Sequence, residues 1–108
     1  MTFQDIENAF FHETKKPLKI RWGPASWCTD HHIYLRIKAD LAHEVAHAFD
    51  FVLGDIKAES FLGFNYEQEC IKNFGRFDGY HEEDWADLAE PFVEKWIESV
   101  VKNASEGI

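Results

Sequence analysis

The sequence predicts a single α+β domain, and three observations carry that prediction. Residues 18–22 and 32–37 alternate apolar and polar side chains with the two-residue period of a strand. Residues 2–16, 40–52 and 83–102 place apolar side chains three and four apart, the period of a helix. The chain has 108 residues, 45% of them apolar, which suits one core rather than two. No repeat, low-complexity tract or linker divides it.

The first helix is expected over 2–16. Thr2 stands where a capping residue belongs, with Asp5 three residues on. Phe3, Ile6 and Phe10 share one face, and Pro17 ends the segment. Leu18, Ile20 and Trp22 then alternate with Lys19 and Arg21 as a short strand. Gly23-Pro24 is turn chemistry, and 25–31 read as loop. In 32–37, Ile33, Leu35 and Ile37 are expected to face the core, with Tyr34 and Arg36 outward. Asp40 is placed to cap a helix running to about Val52. Leu41, Val45, Ala48 and Val52 form its buried stripe, and Gly54 is its expected stop.

Residues 58–73, with Phe61, Leu62, Tyr66, Cys70 and Ile71, read as one helix or as a loop followed by one. Gly75 and Gly79 mark a connecting loop. The last helix should run from about Glu83 to Lys102, with Ala86, Ala89, Val93, Trp96, Ile97 and Val100 inward. Pro91 lies inside it and predicts a kink or a break. A small twisted sheet from 18–22 and 32–37, with or without one more strand, should pack against the first helix and the helix from Asp40.

Net charge is −9, which argues against nucleic acid as a partner, because phosphate contacts need clustered Lys and Arg. Cys28 and Cys70 lack the spacing of a zinc ribbon or a redox pair, and are expected as reduced thiols. The start Met1-Thr2-Phe3-Gln4-Asp5 has neither a basic stretch nor a long apolar run. No segment approaches the roughly 20 apolar residues that span a bilayer. The expectation is therefore a soluble, cytoplasmic, monomeric protein.

The segment that carries chemistry is His43-Glu44-Val45-Ala46-His47. Positions i and i+4 of a helix lie on one face, one turn apart. Two imidazoles so placed can both reach one zinc ion at about 2.0–2.1 Å. Glu44 is angled differently, and can reach a water instead of the metal. Metal-assisted hydrolysis needs that combination: the metal acidifies the water and the carboxylate takes its proton. Catalytic zinc normally has three protein ligands and an open position. The third ligand should come from His81-Glu82-Glu83-Asp84. Glu83 is preferred, because Glu83, Asp87 and Glu90 share a helical face and Ala86 and Ala89 let another helix approach closely. Read alone, the same acids are also a favourable helix N-terminus.

The run His43-Glu44-Val45-Ala46-His47-Ala48-Phe49-Asp50, with Gly54 following, resembles the active helix of the gluzincin metallopeptidases. It is particularly similar to the catalytic domain of anthrax lethal factor and its relatives, which share H-E-x-x-H-A-x-D-x-x-x-G. Phe74-Gly75-Arg76, and then Glu83-Asp84-Trp85-Ala86-Asp87, resemble their Y-G-R and E-x-F-A-E. The resemblance spans roughly 32–96 and rests on about ten positions. It implies a minimal zincin-like domain, a zinc-dependent endopeptidase with a protein or peptide substrate. It also implies Zn²⁺ held by His43, His47 and Glu83, with Glu44 as general base and Asp87 supporting the site. Phe74 stands where the family has the tyrosine that stabilises the oxyanion, and a phenyl ring cannot donate a hydrogen bond. Tyr80 or Arg76 is the expected substitute. Ala46 replaces the usual glycine. Phage-associated metallopeptidases that cleave repressors are a related likeness, so a bacterial or phage-encoded source is expected.

In zincins the strand before the active helix is an edge that pairs with extended substrate, which gives Tyr34 and Arg36 a role beside their reading as solvent-facing residues. Asp50, one turn after His47, is expected to orient an imidazole. His31 and His32 read as surface residues, and His12 as a cation suited to a helix C-terminus. The rival to a peptidase is a non-catalytic binding or inhibitor protein on a zincin fold, of which a phage-encoded protein acting on a host protein is one form. The small size, the acidity and Phe74 motivate it.

Overall fold

The computed structural model describes residues 3–29, 31–53 and 62–106. In chain order these form α1 (Phe3–Thr14), β1 (Lys19–Trp22), β2 (Trp27–Cys28), β3 (His32–Leu35), a 3₁₀ turn (Lys38–Asp40), α2 (Leu41–Leu53), α3 (Tyr66–Phe74) and α4 (Glu82–Glu106). The architecture is α+β, as the sequence predicts: helices packed on a small mixed sheet of order β1-β3-β2. Thr2, Gly54 and Phe61 lie outside the described residues, so the cap, the stop and the packing expected of them do too.

β3 runs parallel to β1, with Ile20 opposite Ile33, and antiparallel to β2, with Cys28 opposite Ile33. β2 corrects the loop expected over 25–31. Two residues carry no alternation to read, and their strand state is set by the partner across the ladder. β3 also stops at Leu35, short of the expected end. Ile37 is 48% exposed and caps the 3₁₀ turn instead of entering the core. Trp22 leaves the alternation at the end of β1. It is exposed and leans on Phe3, with ring centroids 5.2 Å apart.

The outer edge of β1 is met by α1. The Glu7 carboxylate accepts the Ile20 N–H at 2.8 Å and the Arg21 guanidinium at 3.1 Å. The Ile20 N–H is thereby withdrawn from pairing with another strand. The opposite edge, β2, lies beside α2.

Beneath the sheet, Ile6 and Phe10 of α1 meet Ile20, Ile33, Val45 and Phe49, with the Phe10 and Phe49 rings 4.8 Å apart. Fully burying side chains of this kind stabilises by roughly 1.5–3 kcal/mol each. The most extensive helix packing is α2 on α4. Ala46 and Ala48 on one helix and Ala86 and Ala89 on the other are wholly buried, and their small size allows the close approach. The start of α2 is tied to the sheet. Asp40 accepts the Ser26 hydroxyl at 2.5 Å, and Ser26 Oγ accepts the Arg36 N–H at 2.9 Å.

α3 begins at Asn65, whose side chain accepts the Gln68 N–H at 3.0 Å. It ends at Gly75, which adopts φ 76° and closes the helix onto the Ile71 carbonyl. A side chain there would be held in the left-handed region, so Gly75→Ala should lower stability by roughly 1 kcal/mol, read as a shifted urea midpoint. Pro91 does not break α4, which continues through it to Glu106. Proline removes one N–H bond, while Trp85 and Ala89 before it and Val93 and Ile97 after it stay buried on a common face. No described helix is long and apolar enough to cross a membrane.

Candidate metal centre

Burial of Val45, Ala48 and Phe49 fixes the rotation of α2 and turns His43, Glu44 and His47 toward the N-terminus of α4. The two imidazoles meet edge-on with centroids 4.7 Å apart, and their Nε2 atoms are 3.1 Å from each other. Glu83, in the first turn of α4, reaches across with Oε1 3.3 Å from His47 Nε2 and Oε2 3.7 Å from His43 Nε2. Among the described residues these three are the set whose donor atoms converge closely enough to hold one ion.

The donor set is one that a single metal ion could share. Tetrahedral ligands at 2.0–2.1 Å from a common centre stand about 3.3–3.4 Å from one another. The separations found here, 3.1, 3.3 and 3.7 Å, bracket that value. Two imine nitrogens facing each other at this range repel unless a proton or a cation lies between them.

The far nitrogens face carboxylates. His43 Nδ1 lies 3.6 Å from Asp87 Oδ1 and 3.9 Å from Glu90 Oε1, and His47 Nδ1 lies 3.7 Å from Glu82 Oε1. A carboxylate opposite Nδ1 favours a proton there and leaves the Nε2 lone pair for a metal. Glu82 in this place was not assigned from the sequence; its signal was adjacency to Glu83 in a helical first turn. Asp50, expected at an imidazole, instead accepts a hydrogen bond from the Tyr80 hydroxyl. Its position after His47 points it toward the loop before α4.

Glu44 is buried beside both histidines. Burial pushes its carboxyl above the ordinary carboxylate range, His47 and His43 pull it down in part, and Asp40 and Glu83 raise it further. The native state therefore holds this proton more tightly than the unfolded chain does. The resulting penalty on folding is fully present above the raised value and fades as pH falls through it toward 4.5. Metal-free Glu44→Gln should accordingly melt higher than the parent at alkaline pH, with the gap closing in acid. Equal melting temperatures at alkaline pH would contradict this account.

A cavity of about 250 Å³ opens over Glu44 and the histidines, walled by Trp27 and Cys28 of β2 and by Phe51 of α2. Trp27 and Phe51 are both substantially exposed. Comparison with protein-family models, with curated proteins and with solved structures finds no match to this chain.

Tyr80 and Arg76, expected to stand in for the missing tyrosine, are not among the residues lining this cavity. Phe74 is exposed at the end of α3, and Arg76 lies 4.0 Å from Asp78. Both line a neighbouring cavity of about 530 Å³ that also includes Glu83. The Tyr80 hydroxyl has a single proton, and it is directed at Asp50. Burial and that hydrogen bond raise its pKa, so the phenol stays protonated. In this arrangement Tyr80 is not a donor to a reacting carbonyl.

β3 is the central strand and ends before Arg36, so neither Tyr34 nor Arg36 lies on a free sheet edge; the edge beside the cavity is β2. Tyr34 stacks on Trp27, with centroids 4.6 Å apart and planes 13° from parallel. His32 stacks on Tyr34 in turn, and neither His31 nor His32 joins the converging donor set. His12 lies in the last turn of α1.

Proposed function

We propose that this chain is a zinc-dependent peptidase of the gluzincin type, with His43, His47 and Glu83 as its metal ligands. The observation that supports it is the convergence of two Nε2 atoms and one carboxylate at 3.1–3.7 Å, with further carboxylates opposite both Nδ1 atoms. A zinc ion bound there would polarise a peptide carbonyl and acidify water.

The chain's own groups supply the rest. Glu44, in the cavity wall, accepts the proton of the attacking water and returns it to the leaving amine. Its raised pKa suits that exchange, since a weakly basic carboxylate is a poor proton acceptor. The negative charge of Glu82, Asp87 and Glu90, 3.6–3.9 Å from the Nδ1 atoms, favours the ligating tautomer. An extended peptide would lie along the β2 edge, between Trp27 and Phe51, by strand addition. Arg76 is the remaining candidate to approach a carbonyl oxygen: it shares a cavity with Glu83, while the Tyr80 hydroxyl is engaged by Asp50. A reducing compartment such as the cytoplasm suits Cys28 and Cys70, which are thiols here.

One observation favours the rival reading, a non-catalytic binding or inhibitor protein on the same fold. Phe74 cannot donate, and the Tyr80 hydroxyl is engaged by Asp50. Metal analysis of the purified protein, followed by digestion of a peptide library with and without chelator, separates the two. Stoichiometric zinc with chelator-sensitive cleavage supports the peptidase. Zinc without cleavage of any peptide supports the binding protein, and failure to take up zinc removes the peptidase.

A further inference from the structure

We infer that Tyr66 and the Tyr80–Asp50 pair are positioning residues that clamp the 75–81 loop and thereby hold Glu83 opposite His43 and His47. The inference rests on the metal reading above. It begins from an imbalance in burial: the side chain of Glu83 is 73% exposed and that of Glu82 is 55% exposed. Packing does not set the place of such carboxylates; their backbone does.

That backbone is the first turn of α4, whose N–H groups have no partners one turn earlier within the helix. Trp85 and Ala86, buried one turn further on, fix the body of α4 but not its leading edge. The leading edge is tied from two sides. Tyr66 is 2% exposed, and its hydroxyl accepts the His81 N–H at 3.1 Å while donating to the Gly79 carbonyl at 3.3 Å. Gly79 has φ 112°, which a side chain would resist and which lets that carbonyl turn inward. His81 in turn receives the Trp85 N–H on its own carbonyl at 2.9 Å, closing the first turn. From the other side, the Tyr80 hydroxyl donates to Asp50, which lies on the same helix as the histidines. The rings of Tyr66 and Tyr80 meet edge-on at 6.0 Å, so the two ties form one unit. α2 therefore anchors both its own imidazoles and the loop that launches their carboxylate partner.

The test uses the full chain and zinc alone, with affinity measured by competition against a chromophoric chelator. Tyr66→Phe keeps the ring and removes both ties, and should weaken zinc binding about tenfold. Tyr80→Phe and Asp50→Asn should each do the same, and should not add when combined. In a Glu83→Ala background, Tyr66→Phe should cause no further loss, because the clamp acts through Glu83. Val93→Ala, further along α4, should lower the thermal midpoint without moving zinc affinity, which separates positioning from general destabilisation. Parental affinity in both tyrosine variants, or an equal loss with and without Glu83, overturns the inference while leaving the metal reading intact. A parent protein that binds no zinc overturns both.

Discussion

Glu44→Gln should lower peptide turnover by about 10³-fold while zinc remains bound, since general-base catalysis contributes roughly 10²–10⁴-fold. The carboxylate sits in the wall of the cavity between β2 and the N-terminus of α4, beside both imidazoles and outside the converging donor set. Glutamine preserves shape and hydrogen bonding but accepts no proton near neutral pH. The measurement is kcat with the best peptide from a library, paired with metal content of the same preparation. Turnover within tenfold of the parent would remove Glu44 from the chemistry. Loss of zinc in the variant would instead make Glu44 a ligand. A melting curve of the same preparation separates a loss of turnover from unfolding.

His47→Ala should weaken zinc binding by well over 100-fold, more than the 10–100-fold typical of outer-shell substitutions. His47 contributes the shortest contacts in the centre, 3.1 Å to His43 and 3.3 Å to Glu83. It is also the more buried imidazole, so water cannot easily take its place. Glu82→Gln, which acts only on the Nδ1 side, should produce a smaller loss. Isothermal titration or chelator competition ranks the two. Equal affinities for the parent and His47→Ala would place the metal elsewhere, or nowhere.

The helices and the longer strands were legible because their periods are written in the chain: Ile33 and Leu35 alternate, and Val45, Ala48 and Phe49 recur on one face. The motif at 43–47 and the preference for Glu83 came from spacing as well, and the fold brings those residues together. What spacing could not supply was anything decided by partners distant in sequence. Trp27 and Cys28 become a strand only because Tyr34 and Ile33 lie opposite. Asp50 was assigned to an imidazole one turn away, yet a loop thirty residues later brings Tyr80 to it. Pro91 carries a strong local preference for breaking a helix, and the core contacts on both sides of it prevail.

The uneven exposure of the three donors bears on how an ion would come and go. His47 is 10% exposed, His43 26% and Glu83 73%. Entry and departure would take place on the Glu83 side, with the carboxylate first to let go and last to close. Chelators would then act by capturing the ion from a two-histidine intermediate, and their speed would follow the opening of Glu83 rather than the melting of the domain.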